Sequence, residues 1–127
     1  MEGRVPDAEF TKRVIGAAMR VHTVLGPGLL ESVYESGLAA ELSRRGFLAE
    51  RQVPMPAMLD GFPLDGHLRA DIIVDRCLVV EVKVVRLILP VHKAQCLTYL
   101  RAAKLRLGLL MNFNVPLLAY GIKRVIN

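Results

Sequence analysis

The chain is 127 residues long and 53% apolar, with a formal charge of +5 and a pI near 9.6. A chain of this length builds one hydrophobic core and not two, and charged residues break every apolar run before the ~20 residues that a bilayer-spanning helix requires. The N-terminal stretch MEGRVPDAEF lacks a basic segment followed by an apolar one; the reading is a soluble, cytoplasmic, single domain over 1–127, with an N-terminal helix in 1–26 and a core in 28–127.

Cys77 and Cys96 form no C-x-x-C pair and the three histidines show no zinc spacing, which favours reduced, packed thiols and disfavours zinc. The surplus positive charge suits a polyanionic partner. Its basic residues are dispersed in small clusters, at Lys12 and Arg13, Arg44 and Arg45, Arg101 to Arg106, and Lys123 and Arg124, and these serve equally well to solvate helix ends and faces.

In chain order, Asp7 is placed to cap a helix whose apolar positions Val14, Ile15, Ala18, Val21 and Leu25 recur at helical spacing, and Gly26-Pro27-Gly28 stops it. A second helix runs to about Arg45, burying Leu30, Val33, Leu38 and Leu42, and closes at Gly46. Its spacing sets Glu31, Tyr34 and Glu35 on one side. FLAERQVPMPAML predicts a strand that Pro54 and Pro56 confine to an edge or bend. Asp60-Gly61 marks a turn, and two strands follow, the first carrying Asp71 and the second Glu81 and Lys83. Pro90 opens a helix with His92, Gln95 and Tyr99 along one stripe, and LRLGLLMNF and LLAYGIKRVI supply two last strands about a turn at 112–116. The order ααβββαββ gives a sheet flanked by helices, in the α/β or α+β class.

The chemistry concentrates in LRADIIVDRCLVVEVKVV. Strict alternation puts Arg69, Asp71, Ile73 and Asp75 on one face of the first strand, and Cys77, Val79, Glu81, Lys83 and Val85 on one face of the next. A hairpin turn at Asp75 to Cys77 in the in-phase register brings Asp71 opposite Glu81, with Cβ atoms about 5 Å apart. Two such carboxylates repel unless a cation or a shared proton lies between them. With Lys83 one pleat away they supply hard oxygen ligands for Mg2+ and a fixed positive charge beside it. The same three residues also fit a salt-bridge cluster on a half-exposed hairpin, and spacing does not choose between the two.

The segment GPGLLESVYE sets Gly28, Glu31 and Tyr34 in the order G-x-x-E-x-x-Y, and RAD at 69–71, EVK at 81–83, PVHKAQCLTYLR at 90–101 and the closing run LGLLMNFNVPLLAYGIKRVIN follow it. In these motifs the chain, from about Val14 to its end, resembles the GxxExxY family, which is assigned to the PD-(D/E)xK nuclease superfamily. The resemblance implies a restriction-endonuclease-like core with a mixed sheet. It implies that Asp71, Glu81 and the backbone carbonyl of Val82 ligate Mg2+ or Mn2+, and that Lys83 orients or helps deprotonate the attacking water and stabilises charge in the transition state. Glu31 then holds a metal water, a second metal or Lys83. Gln95 and Tyr99 reproduce a Q-x-x-x-Y signature that places the glutamine beside the metal; Tyr34 and Tyr99 are candidates to stack on a base or sugar, or are packed with their hydroxyls bonded. Arg69 and His92 are supporting or nucleic-acid-facing candidates. One departure is Arg86, preceded by two valines, where an acidic residue is expected in many members, so a second acidic metal site is not expected there.

The implied function is metal-dependent hydrolysis of DNA, RNA being the less favoured substrate, with a catalytically weak nucleic-acid-binding or interaction module as the alternative. The high apolar content leaves room for a patch that pairs two copies into a homodimer, which lets one domain act on each strand of a duplex.

Overall fold

The computed structural model describes residues 5–127, so the first four residues, part of the stretch read above as leader-free, lie outside it. Asp7 caps α1 (Ala8–Leu25) by accepting the Phe10 N–H at 2.8 Å, which satisfies one of the donors that a helix start leaves open. The helix stops at Gly26, whose φ of 71° is one that a glycine adopts without steric cost. In α2 (Glu31–Arg44) the buried positions Tyr34, Leu38 and Leu42 recur every fourth residue. Leu30 and Val33, expected inside, are exposed: α2 begins one residue after Leu30, and Val33 lies one position off that stripe.

Five strands follow: β1 (Ala49–Leu59), β2 (Phe62–Val74), β3 (Leu78–Lys83), β4 (Leu107–Asn112) and β5 (Ile122–Ile126), with α3 (Pro90–Ala103) between β3 and β4. The sheet runs β1-β2-β3-β4-β5, and all neighbours are antiparallel except β3 and β4, whose parallel pairing needs the α3 crossover. This is the helix-flanked α+β architecture that the order of elements led us to expect, with the mixed sheet that the resemblance implied, and it is consistent with a restriction-endonuclease-like fold. Pro54 and Pro56 do lie on an edge strand, where a missing N–H costs no ladder bond on the open side, and the register shifts between Pro56 and Met58. The last strand is shorter than LLAYGIKRVI suggested: Leu118–Gly121 forms a 3₁₀ turn, and a Cβ at Gly121 would collide with the Asn112 carbonyl, so this segment is packed end-on against β4 before β5 begins.

Apolar residues pack on both faces of the sheet, in two clusters where the length of the chain led us to expect one core. On one face α1 and α2 press Val14, Val21, Tyr34, Leu38 and Leu42 onto Ile72, Val74, Leu78, Val80, Leu109 and Met111. On the other, α3 packs Cys96, Tyr99 and Leu100 onto Ile73, Val79, Leu110 and Val125. Helix α3 comes so close to β4 that a Cβ on Gly108 would sit 2.7 Å from the Cys96 sulfur. Strands β3 and β4 are covered on both sides, which is why LVVEV and LGLLM read as near-continuous apolar runs. A buried glutamate in such a strand therefore stands out, and it is Glu81.

Candidate active site

Strands β2 and β3 pair Val74 with Leu78, Ile73 with Val79, and Ile72 with Val80. One further step in this register sets Asp71 opposite Glu81, as the hairpin argument required. There the backbone ladder gives way to side chains. The Asp71 N–H donates to Glu81 Oε2 at 2.8 Å, and the Val82 N–H donates to Asp71 Oδ2 at 2.8 Å. Each carboxylate thus takes one backbone donor of the opposing strand, which locks its orientation at the point where β2 leaves β3.

Burial makes the pair electrostatically expensive. Desolvation, reinforced by the negative charges of Glu35 and Glu31, raises the Asp71 carboxyl to about 6 against the pull of the Val82 N–H and Lys83. Glu81, only 3% exposed, is raised to about 8, by desolvation first and then by Asp71 and Glu31. Lys83 ends β3 half-buried, and its charge lowers both acids; among the described residues it makes no direct ion pair with either. At neutral pH this pair retains a proton unless a cation replaces it.

Helix α2 aims its first turn at the pair. Glu31 is its first residue, where the helix dipole favours a carboxylate, and its charge acts on both Asp71 and Glu81. Tyr34, one turn on, is fully buried; its hydroxyl donates to the Gly26 carbonyl and accepts the Leu29 N–H at 3.2 Å, and its ring stacks on Phe113 at 4.6 Å. It ties down the glycine-rich loop that delivers Glu31, and its ring is spent in the core. Tyr99 is buried beneath the acids, with its hydroxyl raised by desolvation and then by Glu81 and Asp71. Cys96 lies beside it, the thiol pushed up to about 12 by burial and by the Glu81 charge.

The other sequence candidates stand further out. Gln95 is exposed on α3 and makes no hydrogen bond to either carboxylate among the described residues. His92 caps α3, its Nδ1 accepting the Leu89 N–H at 2.9 Å. Arg69 is exposed and reaches the Gln52 carbonyl at 3.5 Å. Strict alternation grouped Arg69 with Ile73, but in the structure it is Ala70 that packs with Ile73 in the α3-side core, so the strand reverses its faces at Asp71.

Three participants had no assigned role in the sequence reading. Glu35, 6% exposed, accepts from Arg51 at 2.9 Å and from the Gln52 amide at 2.7 Å, and the same amide nitrogen lies 3.5 Å from Asp71 Oδ1. Asn112, paired with Lys83 across β3 and β4, clamps Val85 through both halves of its amide, at 3.1 Å to the N–H and 2.8 Å to the carbonyl. It thereby fixes the chain leaving Lys83. The signal for Gln52 was an Arg-Gln pair inside a strand otherwise rich in apolar residues; for Asn112, an amide ending a buried apolar run.

Among the described residues no three of His, Cys, Asp and Glu close into a ready-made metal cage. The residues present nonetheless fit a hard divalent cation that takes the rest of its shell from water and substrate. Asp71 and Glu81 each accept a backbone N–H on one oxygen, the other oxygen of Asp71 meets only the neutral Gln52 amide at 3.5 Å, and among the described residues neither acid has a direct ion-pair partner. No helix among the described residues is long and apolar enough to cross a membrane. A family model described as the PD-(D/E)XK nuclease superfamily matches residues 8–125. No curated protein and no solved structure matches the chain.

Proposed function

Because this chain belongs to the PD-(D/E)XK nuclease superfamily, whose members are usually nucleases and generally use divalent metals, we propose that it hydrolyses phosphodiester bonds of DNA with the help of Mg2+ or Mn2+. The observation that carries this reading is the interlocked Asp71 and Glu81 pair, a half-buried and a buried carboxylate held by backbone donors and left to a mobile cation. Asp71, Glu81 and the Val82 carbonyl would hold the ion. Bound there, it supplies the charge that acidifies a water molecule and polarises the phosphate.

The rest falls to the chain itself. Lys83 stabilises negative charge building on the phosphate oxygens and orients the attacking water. Glu31 and Gln95 orient water and substrate around the pair. Membership in the GxxExxY branch is part of the same proposal, and it is supported by the work its motif residues do here: the Glu31 charge bears on both acids, and the Tyr34 hydroxyl closes the loop at Gly26. The exposed apolar tip of the β1–β2 hairpin, Met58, Leu59, Phe62 and Leu64, supports pairing of two copies, which sedimentation reads directly.

Cleavage of single-stranded, duplex and branched DNA and of RNA, with and without Mn2+, tests the proposal, with Asp71→Ala as control. Metal-dependent cleavage of DNA that Asp71→Ala abolishes is the expected result. Nucleic-acid binding with no cleavage of any substrate would leave the binding-module reading in its place.

A further inference from the structure

Gln52 occupies a strained position with no backbone reason to be a glutamine. It lies inside β1 with φ of 49°, in the left-handed region, between the pairs Arg51 with Ile72 and Val53 with Ala70, which places it across from Asp71. Glycine adopts that conformation freely, and Asn, Asp and His are the side chains most enriched there; glutamine is not. Both strands change sides at this point. Ala49 packs with the α1–α2 core but Val53 with the α3 core, although the alternation of a regular strand would keep them on one face. Likewise Ile72 belongs to the first core and Ala70 to the second. The kink that lets β2 leave β3 at Asp71 thus passes through Gln52.

The side chain explains the choice of residue. The Gln52 amide donates to Glu35 Oε1 at 2.7 Å and reaches Asp71 Oδ1 at 3.5 Å, while Glu35 is anchored on its other oxygen by Arg51 at 2.9 Å. Asp71 Oδ2 is already fixed by the Val82 N–H. An amide can restrain the remaining oxygen without discharging it. A lysine or arginine there would compete with a cation, and a carboxylate would add a third negative charge beside Glu35 and Asp71.

We propose that Gln52 is a positioning residue for Asp71: from a strained backbone it ties the carboxylate, through Glu35 and Arg51, to helix α2, holding it open to a divalent cation. The inference rests on the reading of Asp71 as a metal ligand, and the experiment separates the two. Mn2+ binding to the full-length chain is measured by calorimetry and by the electron paramagnetic resonance of free Mn2+, for the wild type, Asp71→Ala, Gln52→Gly and Gln52→Met, with melting temperatures in chelator. Gln52→Gly keeps the positive φ at no steric cost and removes the whole side chain, amide included. Gln52→Met keeps the length and the strain without a donor, and it decides the matter if the glycine variant melts in the assay.

The expected result is Asp71-dependent binding in the wild type, weakened about 10-fold or more in the Gln52 variants, which is the scale for groups that orient a metal ligand, with melting in chelator little changed. Gln52 variants that bind Mn2+ as tightly as the wild type overturn the positioning role while leaving the metal site standing. A wild type without Asp71-dependent binding overturns the metal reading itself, and the role of Gln52 with it.

Discussion

Replacing Glu81 with glutamine should make the metal-free protein more stable at neutral and alkaline pH while removing its affinity for divalent cations. Glu81 keeps its shape in this variant, and its remaining carbonyl oxygen can still accept the Asp71 N–H. In the wild type the folded carboxyl holds its proton up to about 8, whereas the unfolded one releases it near 4.5. A folded value above the unfolded one means that the native state binds more protons between these limits, so stability is greatest near pH 4.5 and falls as pH rises toward 8. At about 1.4 kcal/mol per pH unit, the loss between roughly pH 5 and pH 8 is on the order of 3–4 kcal/mol. For a domain of this size that corresponds to a fall in melting temperature of roughly 10 °C. Glu81→Gln should match the wild type at the acid end and exceed it at the alkaline end, and saturating Mn2+ should raise the melting temperature of the wild type alone. The range stops short of stronger acid because Glu41 titrates with the opposite sign: its arginine partners lower it, so its contribution is lost only as pH falls below the usual carboxylate range. Superimposable melting-versus-pH curves for wild type and Glu81→Gln in chelator would refute the claim that burial of this carboxylate strains the metal-free fold.

Three other outcomes follow from the same geometry. In single-turnover cleavage of the best substrate, Glu31→Gln and Gln95→Ala should slow the reaction by about 10- to 100-fold and Lys83→Ala by more, with nucleic-acid binding retained; unchanged rates in both helix variants would leave only Asp71, Glu81 and Lys83 as the working set. Nucleic-acid affinity, read by fluorescence anisotropy, should fall steeply as salt rises, because a +5 domain without an aromatic platform has chiefly charge with which to hold a polyanion; an affinity indifferent to salt would contradict this. Gly121→Ala should destabilise by about 1–3 kcal/mol in urea titrations, since its methyl group would meet the Asn112 carbonyl and displace the strand end that clamps Val85; a neutral substitution would show that the 3₁₀ turn can shift freely.

What the sequence disclosed and what it withheld differ in physical kind. Caps and turns were legible because single residues specify them: Asp7 accepting the Phe10 N–H, Pro90 opening α3, and Asp60-Gly61, whose positive φ angles of 48° and 82° make the two-residue turn. The register of Asp71 against Glu81 was legible because residue parity on either side of a tight turn fixes it. Parity failed one residue further on. It presumes extended backbone throughout, and a left-handed Gln52 inside β1 reverses the faces of both strands without any glycine to announce it. Glu35 and Asn112 were missed for a related reason. Their partners, Arg51 with Gln52 and Val85, are 16 to 27 residues away, and no local pattern encodes a contact at that distance.

The treatment of buried carboxylates within this one chain bears on the site more than any motif does. Glu41 and Glu35 are buried, and each is met by arginine: Glu41 by Arg44 at 3.0 Å and Arg45 at 2.9 Å, Glu35 by Arg51 at 2.9 Å. A guanidinium is a permanent partner, and a carboxylate so paired has no need of another ion. Asp71 and Glu81 receive only neutral donors, a backbone N–H each and for Asp71 the Gln52 amide as well, which hold their orientation without cancelling their charge, and among the described residues the nearby Lys83 acts on them without a direct ion pair. Among the described residues the fold therefore neutralises its other two buried acids with arginine and does not do so here. An unneutralised pair costs stability in the metal-free protein, and that cost is recovered when a divalent cation binds. A structural salt-bridge cluster, the other reading open to Asp71, Glu81 and Lys83 from spacing alone, would have put the lysine in contact.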